Sequence, residues 1–165
     1  MQLTRFTDYC LRVLMYLSCQ RERLVTIAEL ASSYRISSNH LMKVVQRLAL
    51  AGYITTVRGK GGGMRLAREP ADINLAEVIE HCEESIAVID CLADGYDGEC
   101  PLMPRCALRS ALRGAQRAFL DHLAGFNVRD LVQSRHMQQA ILPVAVPPPK
   151  ARSRAPTKRA ARGGK

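Results

Sequence analysis

The 165-residue chain reads as mainly α with a small β-wing: a winged helix-turn-helix domain followed by a long helix suited to dimer contact. Three observations lead there. Two short amphipathic stretches, 26–34 and 37–51, are joined by a tight turn, and the second is polar and basic at its start; that is the helix-turn-helix pattern. Two short β-patterned stretches follow directly and flank the glycine-rich Arg58-Gly-Lys-Gly-Gly-Gly63, as a wing would. Beyond a cysteine-bearing loop, Leu108, Leu112, Ala115, Phe119 and Leu123 recur at helical spacing. The chain thus divides into a winged head (1–70), a cysteine loop with its long helix (71–142) and a basic tail (143–165).

In order, residues 4–19 form a helix that Thr4 or Thr7 can cap, with Phe6, Leu11, Leu14, Met15 and Leu17 on its apolar side. Asp8 lies in its first turn, where a carboxylate complements the helix dipole; the sharper alternative is a carboxylate donated to a neighbouring site. Thr26-Ile-Ala-Glu29 fits a capping box, with Glu29 reaching back to the cap, and opens a helix that ends near Tyr34. Ser37 or Ser38 opens the next, through about Ala51, and Gly52 closes it in a left-handed cap. Leu41, Val44, Val45 and Leu48 form its buried stripe. Ser37, Ser38, Asn39, His40 and Lys43 stand at its start, the part that enters a major groove in this motif. Side chains of these types reach base edges and phosphates. The plain alternative is a helical hairpin with a solvated face.

Tyr53–Val57 and Met64–Leu66 are the wing strands. Arg58 and Lys60 at the tip can reach phosphates or a minor groove, and glycines allow close backbone approach. The tip is not a nucleotide loop. A P-loop lysine precedes Ser or Thr, but Lys60 precedes Gly61, and a dinucleotide fingerprint read from Gly59 fails at Met64. Asn74 caps a helix through about Cys82. The long helix spans about 105–124, roughly 30 Å, and Gly125 closes it. Arg105, Arg109, Arg113 and Arg117 form a stripe on it, solvated or paired with acids of the head. Residues 128–141 are expected to be one last helix. From Pro143 the sequence is Pro-rich and of low complexity, the composition of a disordered tail.

The stretch Cys91–Cys106 holds three of the six cysteines, with Gly95, Gly98, Pro101 and Pro104 between them. It is a loop. A disulfide would leave one thiol unpaired. A structural zinc site usually shows a Cys-x2–4-Cys knuckle, whereas eight and five residues separate these three. An iron–sulfur cluster accepts varied thiolate spacings but normally takes four ligands, so a fourth must come from elsewhere. Ordinary unliganded cysteines are the remaining reading.

Seven of the nine net positive charges lie in 143–165, which leaves +2 on residues 1–142. The tail could add non-specific nucleic-acid affinity or simply be solvated. No stretch of 18 uninterrupted apolar residues indicates a membrane span. The first residues lack the apolar run of a signal peptide. A cytoplasmic location, where thiols stay reduced, is expected.

With Leu3-Thr-Arg-Phe-Thr-Asp-Tyr9, Ser38-Asn-His-Leu-Met-Lys43, Ala51–Gly63 and the three loop cysteines, the chain resembles the winged-helix repressor family that includes the nitric-oxide sensor NsrR and the iron–sulfur sensor IscR. The resemblance covers about residues 1–135 and is strongest to the NsrR branch. It implies that Cys91, Cys100 and Cys106 bind an iron–sulfur cluster and that the long helix builds a homodimer on palindromic operator DNA. It also implies repression of nitric-oxide detoxification genes until nitric oxide attacks the cluster. In one described NsrR type the aspartate at position 8 is the fourth ligand, given by the partner subunit. IscR-like members use a histidine three residues after the last cysteine, where this chain has Arg109, and a guanidinium is not a normal ligand. Asp8 is therefore favoured over Cys10 or solvent, while Cys10, Cys19 and Cys82 are expected to be packing residues. The first cysteine gap is longer than the family's usual one. An oxygen ligand with three thiolates fits [4Fe–4S] better than [2Fe–2S].

Two other functions compete. One is an IscR-like regulator of iron or cluster supply, against which Arg109 speaks. The other is an iron–sulfur redox enzyme, which would need paired acid–base groups; His40, His81, His122 and His136 are scattered. The expectation is a regulator, not an enzyme.

Overall fold

Each helix starts where a side chain can satisfy the free amides of its first turn. In this computed structural model, which describes residues 2–142, Thr4 accepts from the Thr7 amide and α1 runs Arg5–Cys19. Thr26 accepts from the Glu29 amide ahead of α2, Ile27–Tyr34. Ser37 accepts from the His40 amide ahead of α3, Ser38–Leu50. Between them the chain reverses with Arg35 in the left-handed region, φ 54°, and Ile36 pointing into the core.

Gly52, at φ 71°, ends α3 as expected and leads to the wing. Strands β1 (Ile54–Val57) and β2 (Gly63–Leu66) pair antiparallel, with Ile54 opposite Leu66 and Val57 opposite Gly63. Val25 and Met64 exchange both backbone hydrogen bonds, 2.9 and 2.8 Å, so the wing is stitched to the segment before α2. Tyr53, expected in the first strand, lies just outside it: its amide donates to Leu48 O and its ring is buried.

Asn74 caps α4, Leu75–Cys82, through the Ala76 and Glu77 amides. Residues 83–106 contain only a short 3-10 turn, Asp90–Leu92. The long helix α5, Ala107–Ala124, begins two residues later than expected because Cys106 serves as its N-cap. Its 18 residues span about 27 Å. The single last helix expected over 128–141 is two. An Asn127–Asp130 capping box opens a one-turn α6, Val128–Leu131, and Ser134 restarts the chain as α7, Arg135–Ile141. Two competing caps outweigh one continuous periodicity. The tail, 143–165, lies outside the described residues.

One hydrophobic core runs through the structure. Leu14, Leu30, Leu41 and Leu48 of the head share it with Ile73, Val78, Val128 and Ile141, so it draws on both sides of position 70. The C-terminal end of α5 is clamped: Asn74 Nδ2 donates to Ala124 O at 2.7 Å, and Leu75 N donates to Phe126 O. No residue of α5 itself is buried.

The capping box at Thr26 is only half made. Glu29 does not reach back; its carboxylate accepts from Tyr16 Oη at 2.7 Å and from Arg23 Nη1 at 2.8 Å. The Arg23 guanidinium, more than Tyr16, holds this carboxyl below its ordinary value against the opposing effect of burial. Its contribution is therefore present at neutral pH and fades as pH falls through the carboxylate range.

Leu14 is fully buried at the centre of this core. Leu14→Ala should cost about 2–5 kcal/mol, read as a lower urea midpoint at fixed protein concentration and unchanged slope.

Candidate functional site

The polar face of α3 begins with a local network. Ser37 Oγ accepts from the His40 amide and lies 3.0 Å from His40 Nδ1, and Tyr9 tilts against the imidazole at 6.2 Å between centroids. Ser37 and His40 are thus engaged in starting the helix. Ser38, Asn39 and Lys43 are exposed without such ties among the described residues. Met42 is 51% exposed on the same side, because the turn that buries Leu41, Val44 and Val45 leaves positions 39, 42, 43 and 46 outward. Sequence reading passed over Met42 as one more apolar residue; its step out of the buried stripe was the available signal.

The wing tip, 58–62, is tight. A Cβ on Gly62 would lie 2.3 Å from Val57 O, and Gly59 has φ 98°, so both positions require glycine. Arg58 and Lys60 are exposed on it. Arg65, also exposed, pairs across from Thr55 and extends the basic edge along β2. Its outward place follows from strand alternation, a signal the sequence itself carries.

The last turn of α4 ties the head to the cysteine loop. Arg47 Nη1 of α3 donates to His81 O at 3.3 Å, Tyr53 Oη lies 3.2 Å from His81 Nδ1, and Glu83 Oε1 accepts from Thr4 N at 2.7 Å and Thr4 Oγ1 at 3.1 Å. Cys10 and Cys82 are buried. Their mutual hydrogen bond first, and then burial, push the Cys10 thiol up, which keeps it protonated and a packing residue. Burial likewise raises Cys19.

Cys91, Cys100 and Cys106 are half-buried free thiols. Cys91 sits in the 3-10 turn and Cys106 at the head of α5. Arg109 connects these two: its amide donates to Cys106 Sγ at 3.4 Å and its Nε to Cys91 O at 3.0 Å. Val88 N donates to Gln116 Oε1 farther along α5. Cys100 lies outside this tie, on the stretch whose Met103 amide donates back to Cys100 O. Among the described residues, no three His, Cys, Asp or Glu side chains gather closely enough to hold one metal ion. Asp8 is not brought to the loop of its own chain; its Oδ1 accepts from Arg12 Nε at 2.9 Å, on an exposed face of α1. Residues 83–100 carry Glu83, Glu84, Asp90, Asp94, Asp97 and Glu99 and no lysine or arginine. Of the expected arginine stripe, Arg105 falls just before α5; Arg105, Arg113 and Arg117 are exposed and only Arg109 turns inward. Among the described residues, no helix is long and apolar enough to cross a membrane.

A recognition helix exposed at its start, followed by a basic two-stranded wing, defines a winged helix-turn-helix DNA-binding regulator. Residues 3–134 match the family model Rrf2, described as an iron-dependent transcriptional regulator. The chain belongs to the Rrf2 family. It is 43% identical over 136 residues to the HTH-type transcriptional regulator NsrR of Bacillus subtilis (strain 168), covering 82% of this chain and 92% of that one. It is 42% identical over 135 residues to Protein aau3 of Rhizobium meliloti (strain 1021), covering 82% and 87%. Among solved structures, CymR of B. subtilis, the global cysteine regulator, superposes with a TM-score of 0.65 at 23% identity, over 81% of this chain and 97% of that one. T. potens IscR superposes with a TM-score of 0.61 at 21% identity, over 81% and 87%. The chain is a transcriptional regulator of this family, not an enzyme.

Proposed function

We propose that the chain is a homodimeric repressor of operator DNA whose binding depends on an iron–sulfur cluster, [4Fe–4S] in preference to [2Fe–2S], and is released by nitric oxide. The observation that carries this reading is the set of three free, half-buried thiols in one loop that runs directly out of the α4 turn gripping α3. The donor chemistry fits: the thiols are free, and cysteine thiolates are the usual ligands of iron–sulfur clusters. Cys91, Cys100 and Cys106 would hold it, with Asp8 of a second subunit as fourth ligand. That assignment agrees with Asp8 standing on an exposed face paired only with Arg12, an exposed ion pair of little strength. The cluster supplies iron, on which nitric oxide acts as a strong ligand.

The chain's own residues do the rest. The apolar stripe of α5 is only partly covered, with Leu108 61% exposed, Leu112 and Phe119 half-buried and Leu123 packed against the core, and a second copy of α5 would cover the rest. Asp8 on α1 and the loop before α5 then join one subunit's head to the other's dimer helix. This fixes the separation of two α3 helices, which a palindrome with half-sites about one helical turn apart reads rigidly. Inside each head, Arg47, Tyr53 and Thr4 carry the position of the α4 turn to α3 and α1. Ser38, Asn39 and Lys43 would face the major groove, with Ser37 and His40 shaping the helix start, and Arg58 and Lys60 the backbone or minor groove. An IscR-like role in sensing iron or cluster supply is the second reading. It is disfavoured because Arg109 stands where that type has its histidine ligand. A cytoplasmic site of action follows from a DNA partner and reduced thiols.

Three outcomes are expected. Cys91→Ala, Cys100→Ala and Cys106→Ala each abolish stable iron and sulfide uptake, counted after anaerobic reconstitution, whereas Cys19→Ala does not; full content in all three would remove the loop as the site. Lys60→Ala weakens every duplex similarly and reduces the salt slope by about one. Unchanged affinity and slope in the Arg58→Ala, Lys60→Ala double variant would reject the wing contact. Anaerobic operator titration at one salt concentration should show the cluster-loaded form binding roughly 5–150-fold tighter than the apo and nitrosylated forms, the usual range of allosteric coupling. Asp8→Ala should blunt that difference, and equal affinities in all three forms would reject gating.

A further inference from the structure

The stripe Arg105, Arg109, Arg113 and Arg117 repeats every fourth residue, yet among the described residues only Arg109 has a hydrogen-bond partner for its side chain. Arg109 is half-buried, and it touches the loop at both ends. Its amide donates to Cys106 Sγ, which caps α5, and its Nε donates to Cys91 O, 18 residues upstream. One residue therefore relates the first and last thiols of the loop.

We infer that Arg109 is a positioning residue that frames the cysteine loop before any ligand arrives and sets a permanent positive charge beside the thiolates. The inference rests on the cluster reading above and adds a role for a residue that is not itself a ligand. The two contacts differ in kind. The amide bond to Cys106 belongs to the helix start and survives any substitution of the side chain. The Nε bond to Cys91 O belongs to the guanidinium alone. It fixes the backbone of the 3-10 turn, and so the direction from which Cys91 leaves it. Between these anchors the chain is rich in glycine and proline and carries Asp94, Asp97 and Glu99 against the exposed Arg105, with Asp90 just ahead of them. An acidic loop repels the thiolates that it must also hold together. The guanidinium is the one cationic group bonded into the loop among the described residues. It opposes that repulsion and favours the more negative, reduced state of a cluster held there.

The experiment uses the full chain and the variants Arg109→Ala, Arg109→Gln and Arg109→Lys. In the apoprotein, chymotrypsin nicking at Leu92 and Tyr96 reads the framing with no cluster present. Loss of one charge-assisted hydrogen bond should speed nicking about tenfold in Arg109→Ala. Circular dichroism should be unchanged, because the α5 cap is retained. In the reconstituted protein, the midpoint potential reads the charge. It should fall in Arg109→Ala and Arg109→Gln and return towards wild type in Arg109→Lys, a recovery that a purely structural defect would not give. Nicking at the wild-type rate in apo Arg109→Ala overturns the framing role. An unchanged potential in both uncharged variants overturns the electrostatic role. A wild-type chain that takes up no iron and sulfide rejects the cluster reading and the electrostatic role with it, while the apoprotein assay still decides the framing role by itself.

Discussion

The last turn of α4 is the constraint on which the rest of this structure depends. Three short contacts meet there from three directions: Arg47 on His81 O, Tyr53 Oη beside His81 Nδ1, and Thr4 on Glu83. Cys82 fills the space beneath against Cys10. The recognition helix, the first residue of the wing region and the cap of α1 therefore share one support only one residue wide at each point. The chain leaves that support straight into the cysteine loop. On the proposed function, a signal near the loop must be felt at the DNA face. Here the intervening distance is one helical turn and a few side chains, and no separate relay element is required.

The two functional regions are also electrically opposed. The loop stretch 83–100 is uniformly acidic, while the wing presents Arg58, Lys60 and Arg65 and α3 presents Lys43. An acidic segment close to a phosphate backbone is unfavourable, so this charge distribution disfavours a duplex running against the loop. The inward turn of Arg109 is the local exception that makes an acidic, thiol-rich loop tenable.

Much of this was legible in the sequence, and what was not has identifiable causes. Thr4, Thr26, Ser37 and Asn74 announced their helices because a cap acts on amides two or three residues away, a distance that sequence displays directly. The α3 stripe and Gly52 were legible for the same reason. Glu29 was misread because its partners, Tyr16 and Arg23, come from α1 and the loop behind it, and a guanidinium outcompetes a backbone amide for a carboxylate. The final helix was overextended because its apolar spacing continues through a break that only the rival caps Asn127 and Ser134 impose. Arg35 gave no warning of a left-handed turn, since glycine usually marks one. For the candidate site, sequence picked out the thiols and the wing tip. It could not show that Arg109 reaches Cys91, because that contact exists only once the loop has folded back on α5. Nor could it bring Cys100 or Asp8 to the Cys91–Arg109–Cys106 tie, and a single chain does not do so either.

The partly covered stripe of α5 has a consequence of another kind. A helix whose apolar face its own chain leaves incompletely covered makes the working form, if a second copy completes it, a matter of mass action. On the dimer reading, each doubling of copy number raises the fraction of assembled, signal-competent molecules, and dilution lowers it. The threshold at which a cell responds would then be set partly by how much of this protein it makes, and a change in expression alone could retune the response without altering a single residue.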